Sequence, residues 1–363
     1  MKTIKNIFEK IIDFENLYLA WESARKGKRY REEIMRFSND LESNLINLQN
    51  HLIYGTYKVG RYRPFYIYEP KKRLIMALPF RDRVVQWAIY RQLFPILDRQ
   101  FIFDSYACRP GKGTQKAVNR LQYWLQQTSR KPQKFYYLKL DIAKYFYRVD
   151  HGILENILRQ KIKDKRLLNL LVSIINSEET KFGLPVGVDP EMCSAAERLE
   201  NVGMPIGNLT SQMFANLYLH ELDLFAKHKL KLHYYIRYMD DIIILHYDKK
   251  YLKAVKDEIE TFLLEKLRLN LNKKTAIRPC DMGIEFVGYR IWATHKKLKR
   301  NTAIKIKRAV KGIKNKRESG KMTQEAFDRR IASYRGVLKH CNSYGFRQRL
   351  NRMFRQNKSL KRG

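Results

Sequence analysis

The sequence predicts an α+β fold: an antiparallel sheet that carries the chemistry, helices before and between its strands, and a basic helical region at the end. Three observations lead there. Apolar residues recur at helical spacing from Ile4 to about Asn50, as in Ile4, Ile7, Phe8, Ile11 and Ile12. The stretch "YYIRYMDDIIIL", Tyr234 to Leu245, sets two strand-like runs around a pair of acids, Asp240 and Asp241, as a hairpin does. From Lys296 onward 23 Lys and Arg face 3 acids, yet Ile306, Ala309, Val310 and Ile313 keep helical spacing. That pattern fits a docked basic helical domain and not a disordered tail.

The remaining elements follow in order. "YGTYKVGRYRPFYIYEPKKRLIMALPF" alternates aromatic or β-branched residues with basic ones and is broken by Gly and Pro, so it reads as a hairpin with Lys71, Lys72 and Arg73 between its strands. A helix is expected from Arg83 to about Leu97. "KFYYLKLDIAKYFYRVDH" ends a strand at Asp141, passes an aromatic turn and resumes helical spacing through Ile153, Ile157 and Leu158. Residues 176–203 show little periodicity and read as a loop. A helix should start near Asn208 and run to about Lys229, another should cover Tyr251 to Leu267, and "LNLNKK" and "IEFVGYRIW" read as two short strands.

Composition narrows the function. The net charge of +37, from 73 Lys and Arg against 36 Asp and Glu, exceeds what solubility needs and points to a polyanionic partner, because counterion release from a phosphate backbone rewards dense positive charge. Cys108, Cys193, Cys280 and Cys341 form no CxxC pair, so neither a zinc site nor a disulfide framework is suggested. No apolar run approaches the roughly 18 residues of a membrane span, and a cytoplasmic setting is expected. "RPGKGT" at Arg109 to Thr114 lacks the spacing of a Walker A loop. His151 follows Asp150 at a helix start, where capping by Asp150 is the expectation.

Two adjacent carboxylates between buried strands repel one another, so something positive is expected beside them. If the strand ending at Asp141 neighbours the Asp240–Asp241 hairpin, three carboxylates converge on Mg²⁺, a hard ion that takes oxygen ligands. Two ions about 4 Å apart would clamp the attacking and leaving oxygens of a phosphoryl transfer. The alternative is a polar hairpin turn, in which Asp is favoured for conformational reasons alone.

Flanked by "YIRY" and "IIIL", the "MDD" resembles the YxDD box of reverse transcriptases, and further matches follow in order. "EPKKRLIMALPFRDRVVQW" resembles the first fingers motif of the bacterial enzymes, "DSYACRPGKGTQKAV" the second, "LDIAKYF" motif A and "GMPIGNLTSQMFANLYLHELD" motif B. "LNLNKKT" is similar to the next box, "FVGY" to the primer-grip region and "DRRIASYRGVLKHCNSY" to a thumb helix. The resemblance implies a right-hand polymerase: an N-terminal helical extension at 1–60, fingers at 61–135, a palm with the antiparallel sheet at 136–292 and a helical thumb at 293–363. It implies RNA-directed DNA synthesis with two Mg²⁺ ions, Mn²⁺ being a substitute, on template RNA and its RNA–DNA hybrid, with dNTPs as substrates.

Site residues carry over position by position. Asp141, Asp240 and Asp241 would be the catalytic metal ligands, joined by the backbone of Ile142. Lys71, Arg73, Phe146, Ile206 and Gly207 would meet the dNTP: the cations at the triphosphate, Phe146 beneath the sugar, Ile206 and Gly207 beside the nascent pair. Lys274 would be a general acid for the leaving pyrophosphate or a solvated lysine, and Gly288 and Tyr289 a primer grip or an ordinary edge strand. Most reverse transcriptases read QGxxxSP at motif B, whereas Ile206 to Gln212 here read "IGNLTSQ". That form resembles diversity-generating retroelement enzymes, which copy a template-repeat RNA with adenine-directed errors and work with a small, basic, oligomeric accessory protein like the accessory variability determinant. Ile in place of Gln removes a polar partner from the nascent pair, which should weaken discrimination. The reading leaves no room for RNase H, endonuclease or integrase segments in these 363 residues. Other bacterial lineages, group II intron-like or phage-defence, and a non-catalytic RNA-binding protein remain the alternatives.

Overall fold

A computed structural model of the chain describes residues 3–68, 73–176, 181–190, 192–194 and 196–355. Helices α1 (Phe8–Ile12), α2 (Phe14–Arg25), α3 (Glu32–Asn39) and α4 (Leu41–Ile53) lead into the strands β1 (Arg63–Ile67) and β2 (Arg73–Ala77). Then come α5 (Phe80–Asp98), α6 (Thr114–Ser129), β3 (Tyr136–Asp141), α7 (His151–Lys161), α8 (Lys165–Ile175) and α9 (Leu209–Leu224). The hairpin β4 (Tyr235–Tyr238) and β5 (Asp241–His246), helix α10 (Lys249–Leu267) and strands β6 (Ala276–Pro279), β7 (Ile284–Phe286), β8 (Tyr289–Ile291) and β9 (Lys296–Leu298) follow. Helices α11 (Arg300–Glu318), α12 (Gln324–Lys339) and α13 (Tyr344–Arg355) close the described chain.

Contacts divide the chain into two compact units. The first joins Met1–Arg109, Asp141–His233 and Val255–Lys274, and the second joins Pro110–Leu140, Tyr234–Ala254 and Thr275–Gly363. Within the first, α2 packs along α5 around a buried Asn16. Asn16 Nδ2 donates to the carbonyls of Ile11 and Ala88, while its Oδ1 accepts from Arg91 and Gln92, so the amide is fully used and fixes the register of the two helices. Asp164 has two tasks: one oxygen caps α8 at the N–H of Leu167, and the other accepts from the N–H groups of Ile7 and Phe8, both at 2.9 Å. Arg109, in the loop considered for phosphate, is instead a structural clamp. It donates to Asp98 Oδ1 at 2.5 Å and to the carbonyls of Asp98, Ile102 and Ser105.

The second unit holds a four-stranded sheet of order β4-β5-β3-β6 and a three-stranded sheet β7-β8-β9. Strands β4 and β5 are buried on both faces, Tyr235, Ile236, Arg237, Ile242 and Ile243 all being 0% exposed. Helix α6 lies against β4 and β8, with Trp124 meeting Tyr234 edge to face at 5.5 Å. Helices α11, α12 and α13 share a core of Ile306, Val310, Ile313, Phe327, Ile331, Leu338 and Leu350. The basic region is therefore folded over residues 296–355, as its spacing predicts.

Four expectations need correction. "LNLNKK" forms no strand; it contributes one bridge, Leu271 to Ile142, and the strand that extends the sheet is β6, just beyond it. "IEFVGYRIW" is two strands, because Val287 and Gly288 both take positive φ, 39° and 88°, and turn the chain in two residues so that Phe286 pairs with Tyr289. The α-helix expected to reach Lys229 ends at Leu224 and widens into a π-helical turn over Phe225–Lys229. In the β1–β2 hairpin, Arg73 is the first residue of β2 and pairs with Ile67 instead of lying in the turn, while Lys71 and Lys72 lie outside the described residues.

Asp150 caps α7 through the N–H of Ile153 at 3.0 Å, as expected. His151 closes the loop beside it, its Nε2 2.6 Å from the carbonyl of Gly203. Gly203 has φ 91°, and a Cβ there would lie 2.8 Å from the backbone of Phe182 and Gly183. Gly203→Ala is thus expected to lower stability by about 2 kcal/mol or more, read as a drop in the urea unfolding midpoint.

Candidate active site

The acidic pair straddles the end of a two-residue turn. Tyr238 pairs with Asp241, which leaves Met239 and Asp240 to reverse the chain. Met239 has φ 56°, a left-handed conformation that favours Gly, so the turn holds local strain. Arg237 supports it from below: this arginine is 0% exposed, and its Nη1 donates to the Met239 carbonyl at 3.2 Å. The positive partner expected beside the carboxylates is Lys139 on β3. Its Nζ lies 3.2 Å from Asp241 Oδ1 and 3.4 Å from Oδ2, and donates to the Glu285 carbonyl on β7 at 2.7 Å. Strand β3 is the neighbour of β5 in the sheet, and Asp141 is its last residue.

The tyrosines of the acidic turn and of the β7–β8 hairpin are braced by one helix turn. Thr114 and Gln115 open α6; the Thr114 hydroxyl lies 3.1 Å from that of Tyr238, and Gln115 Nε2 donates to the Tyr289 hydroxyl at 3.0 Å. Burial raises the pKa of Tyr289, and the Gln115 bond opposes that shift. The carbonyl of Gly288 accepts from Lys299 at 2.9 Å, tying the turn to the start of α11.

The first unit holds Arg73, Phe146, Ile206 and Gly207, four of the residues assigned to the nucleotide. The Met76 N–H on β2 donates to the Ile206 carbonyl at 3.2 Å, and that of Met204 donates to the Phe146 carbonyl at 2.7 Å. The hairpin that begins β2 with Arg73, the "IGN" loop and motif A are therefore stitched together through the backbone. Arg73 is exposed, and its charge reaches Tyr147, whose hydroxyl pKa is raised chiefly by burial. Gly207 is exposed at φ 116°, and a Cβ there would meet Ile75 Cγ2 at 3.0 Å. Asn208 does not cap α9 with its side chain; its Nδ2 donates to the Tyr62 hydroxyl at 3.0 Å, while Gln86 accepts from the N–H of Leu209.

The Asp141 carbonyl accepts from the N–H of Asn272 at 2.7 Å, and the N–H of Ala143 donates to Asn270. In such a bridge the carbonyl of the intervening Ile142 faces away from Leu271. Lys274 is exposed, two residues beyond Asn272, whose side chain accepts its N–H at 3.2 Å.

Lys139, Arg237, Thr114 and Gln115 were missed as site residues, although two of them leave a trace. Lys139 and Arg237 are charges inside otherwise apolar strands, "YLKLD" and "YIRY". Thr114 and Gln115 open an ordinary amphipathic helix and carry no such signal. The donor set of the acidic turn, carboxylate oxygens with no imidazole or thiolate, fits a hard divalent cation. Among the described residues, no group of three or more His, Cys, Asp or Glu side chains is drawn close enough to enclose an ion. No helix among the described residues is long and apolar enough to cross a membrane.

The site thus combines an antiparallel sheet, a strained acidic turn and a helix-braced hairpin. The sequence profile described as "Reverse transcriptase (RNA-dependent DNA polymerase)" matches residues 68–291, and the chain belongs to that family. Its α+β fold is accordingly the right-hand polymerase fold. Among curated relatives, protein YkfC of Escherichia coli (strain K12) is 26% identical over 279 residues, covering 67% of this chain and 70% of that protein. The group II intron-encoded protein LtrA of Lactococcus lactis subsp. cremoris is 24% identical over 355 residues, covering 77% of this chain and 54% of its own length. The apo telomerase of Candida tropicalis aligns in structure with a TM-score of 0.49 and 14% identity, over 68% of this chain and 49% of that one. The chain thus spans about half the length of the latter two proteins.

Gln115→Leu and Tyr289→Phe are each expected to reduce stability by about 1 kcal/mol, with the double variant losing little more than either alone. Urea unfolding of the four proteins measures this coupling.

Proposed function

We propose that the chain is an RNA-directed DNA polymerase that copies template RNA by adding dNTPs to a primer end. The observation that carries this reading is the acidic turn at Asp240–Asp241, beside the strand that ends in Asp141, in a chain of the reverse transcriptase family. Asp141, Asp240 and Asp241, with the Ile142 carbonyl, would hold the two divalent cations through oxygen donors alone. Bound there, Mg²⁺ or Mn²⁺ supplies the Lewis acidity that makes the primer 3′-hydroxyl nucleophilic and neutralises the pyrophosphate. Arg73 grips the triphosphate through its planar fork, with Lys71 as a second cation. Phe146 supports the sugar, and Gly207 lets the backbone approach the nascent pair. Lys274 donates a proton to the departing pyrophosphate, and Gly288 and Tyr289 hold the primer end. Residues 1–60 form an extension to fingers at 61–135, a palm at 136–292 and a basic thumb at 293–363 that holds the RNA–DNA hybrid by its backbone.

Within this class we infer a diversity-generating retroelement enzyme, acting with a small basic accessory protein and making errors at template adenines. The support is "IGNLTSQ", with an isoleucine in place of the usual glutamine. A group II intron-like enzyme is the second reading, favoured by the similarity to LtrA. Sequencing cDNA made by the purified protein on candidate template RNAs, with and without partner, separates the two by error spectrum and by template.

Asp240→Asn is expected to reduce dNTP incorporation by at least about a thousandfold, with RNA binding retained, in a primer-extension assay beside a filter-binding assay. Equal activity of mutant and wild type would refute the assignment and leave an RNA-binding role. Ile206→Gln is expected to lower misincorporation opposite template adenine about tenfold, which sequencing of the products measures.

A further inference from the structure

Lys139 stands where three elements meet. It lies on β3 two residues before Asp141, on the partly exposed face of a strand whose Leu138 and Leu140 are 0% exposed. Its single ammonium contacts both carboxylate oxygens of Asp241, the first residue of β5, and donates to the Glu285 carbonyl on β7. Strand β7 belongs to the three-stranded sheet, so this one nitrogen links the sheet of the acidic turn to the hairpin that carries Gly288 and Tyr289. The side chains of Lys139 and Asp241 are 28% and 25% exposed, so the pair is partly withdrawn from water and its attraction only partly screened. A divalent cation at Asp241 needs the same oxygens that Lys139 contacts, and it is repelled by the same ammonium.

We propose that Lys139 is the resident counter-ion of Asp241 in the cation-free protein, and that a divalent cation binds by taking this carboxylate from it. Lys139 is then a positioning residue that sets cation affinity and keeps the β7–β8 hairpin tied to the sheet through the Glu285 carbonyl. The proposal rests on the metal-binding reading of the acidic turn. It goes beyond that reading by giving this site a built-in competitor, whose release from Asp241 accompanies every loading event.

The test uses the full chain without nucleic acid or nucleotide, so that activity does not enter. Mn²⁺ is titrated calorimetrically into wild type, Lys139→Met, Lys139→Arg and Asp241→Asn, and unfolding midpoints are recorded with and without the ion. Lys139→Met is expected to bind Mn²⁺ about three- to tenfold more tightly than wild type, as fits the loss of a partly exposed ion pair. Its midpoint should fall without cation and recover with it. Lys139→Arg keeps the charge and should stay within about twofold of wild type. Should the Met variant not fold, Lys139→Gln, which retains a donor for the Glu285 carbonyl, is expected to show the same tightening. An affinity that is unchanged or weaker in the neutral variants overturns the role of Lys139 while leaving the metal reading intact. If wild type shows no saturable binding, or Asp241→Asn binds as tightly, the metal reading fails and this proposal with it.

Discussion

One acid at the tip of a two-residue turn and a second at the start of the next strand set two negative charges in adjacent positions, and the surrounding architecture supplies a cation to the second. Lys139 reaches Asp241 from the adjacent strand, and Arg237, fully buried, holds the Met239 carbonyl beneath the turn. Neither cation makes sense as decoration of a core strand, because a charge taken out of water needs a partner to offset its lost hydration. Here the partners are the carboxylate and carbonyls of the turn and its neighbours. Positive φ at Met239 adds local strain that the flanking ladder of β4 and β5 over-determines. The result is an acidic tip carried on a paired, buried hairpin.

The same logic extends outward. Thr114 and Gln115 place one helix turn against the hydroxyls of Tyr238 and Tyr289, so two tyrosines from separate sheets take their positions from one support. In the other unit the backbone does this work: Met76 to Ile206 and Met204 to Phe146 join the β1–β2 hairpin, the "IGN" loop and motif A without relying on side-chain identity. Backbone bonds leave the side chains of Ile206 and Phe146 at liberty to vary in chemistry while their positions hold.

Legibility in the sequence followed the physics of each signal. Long periodic stretches such as Tyr251 to Leu267 were readable because burial repeats every turn, and the acidic hairpin was readable because strands of Ile and Tyr flank a pair of charges. "LNLNKK" misled because its alternation suits a strand, yet the chain there makes one bridge and pairs fully only from Ala276. The turn at Val287–Gly288 was hidden by a β-branched residue in a conformation that usually selects Asn or Gly. Arg109 showed the reverse: a residue in a loop that invites a phosphate reading spends its donors on Asp98 and three carbonyls. Whether a charge faces solvent, ligand or its own fold is decided by neighbours distant in sequence, and periodicity does not record those.

The π-helical turn at Phe225–Lys229 has its own consequence. The wider turn re-phases Phe225–Lys229 relative to the face of α9, which is buried over most of its circumference. The stacked rings of Phe225 and Phe262, 4.3 Å apart, lie at this widening. Removing a single residue between Phe225 and Lys229 would convert the wide turn to an ordinary one and displace Leu230, whose N–H closes that turn on the Phe225 carbonyl. That segment is therefore a length gauge, in which residue number counts for more than residue type.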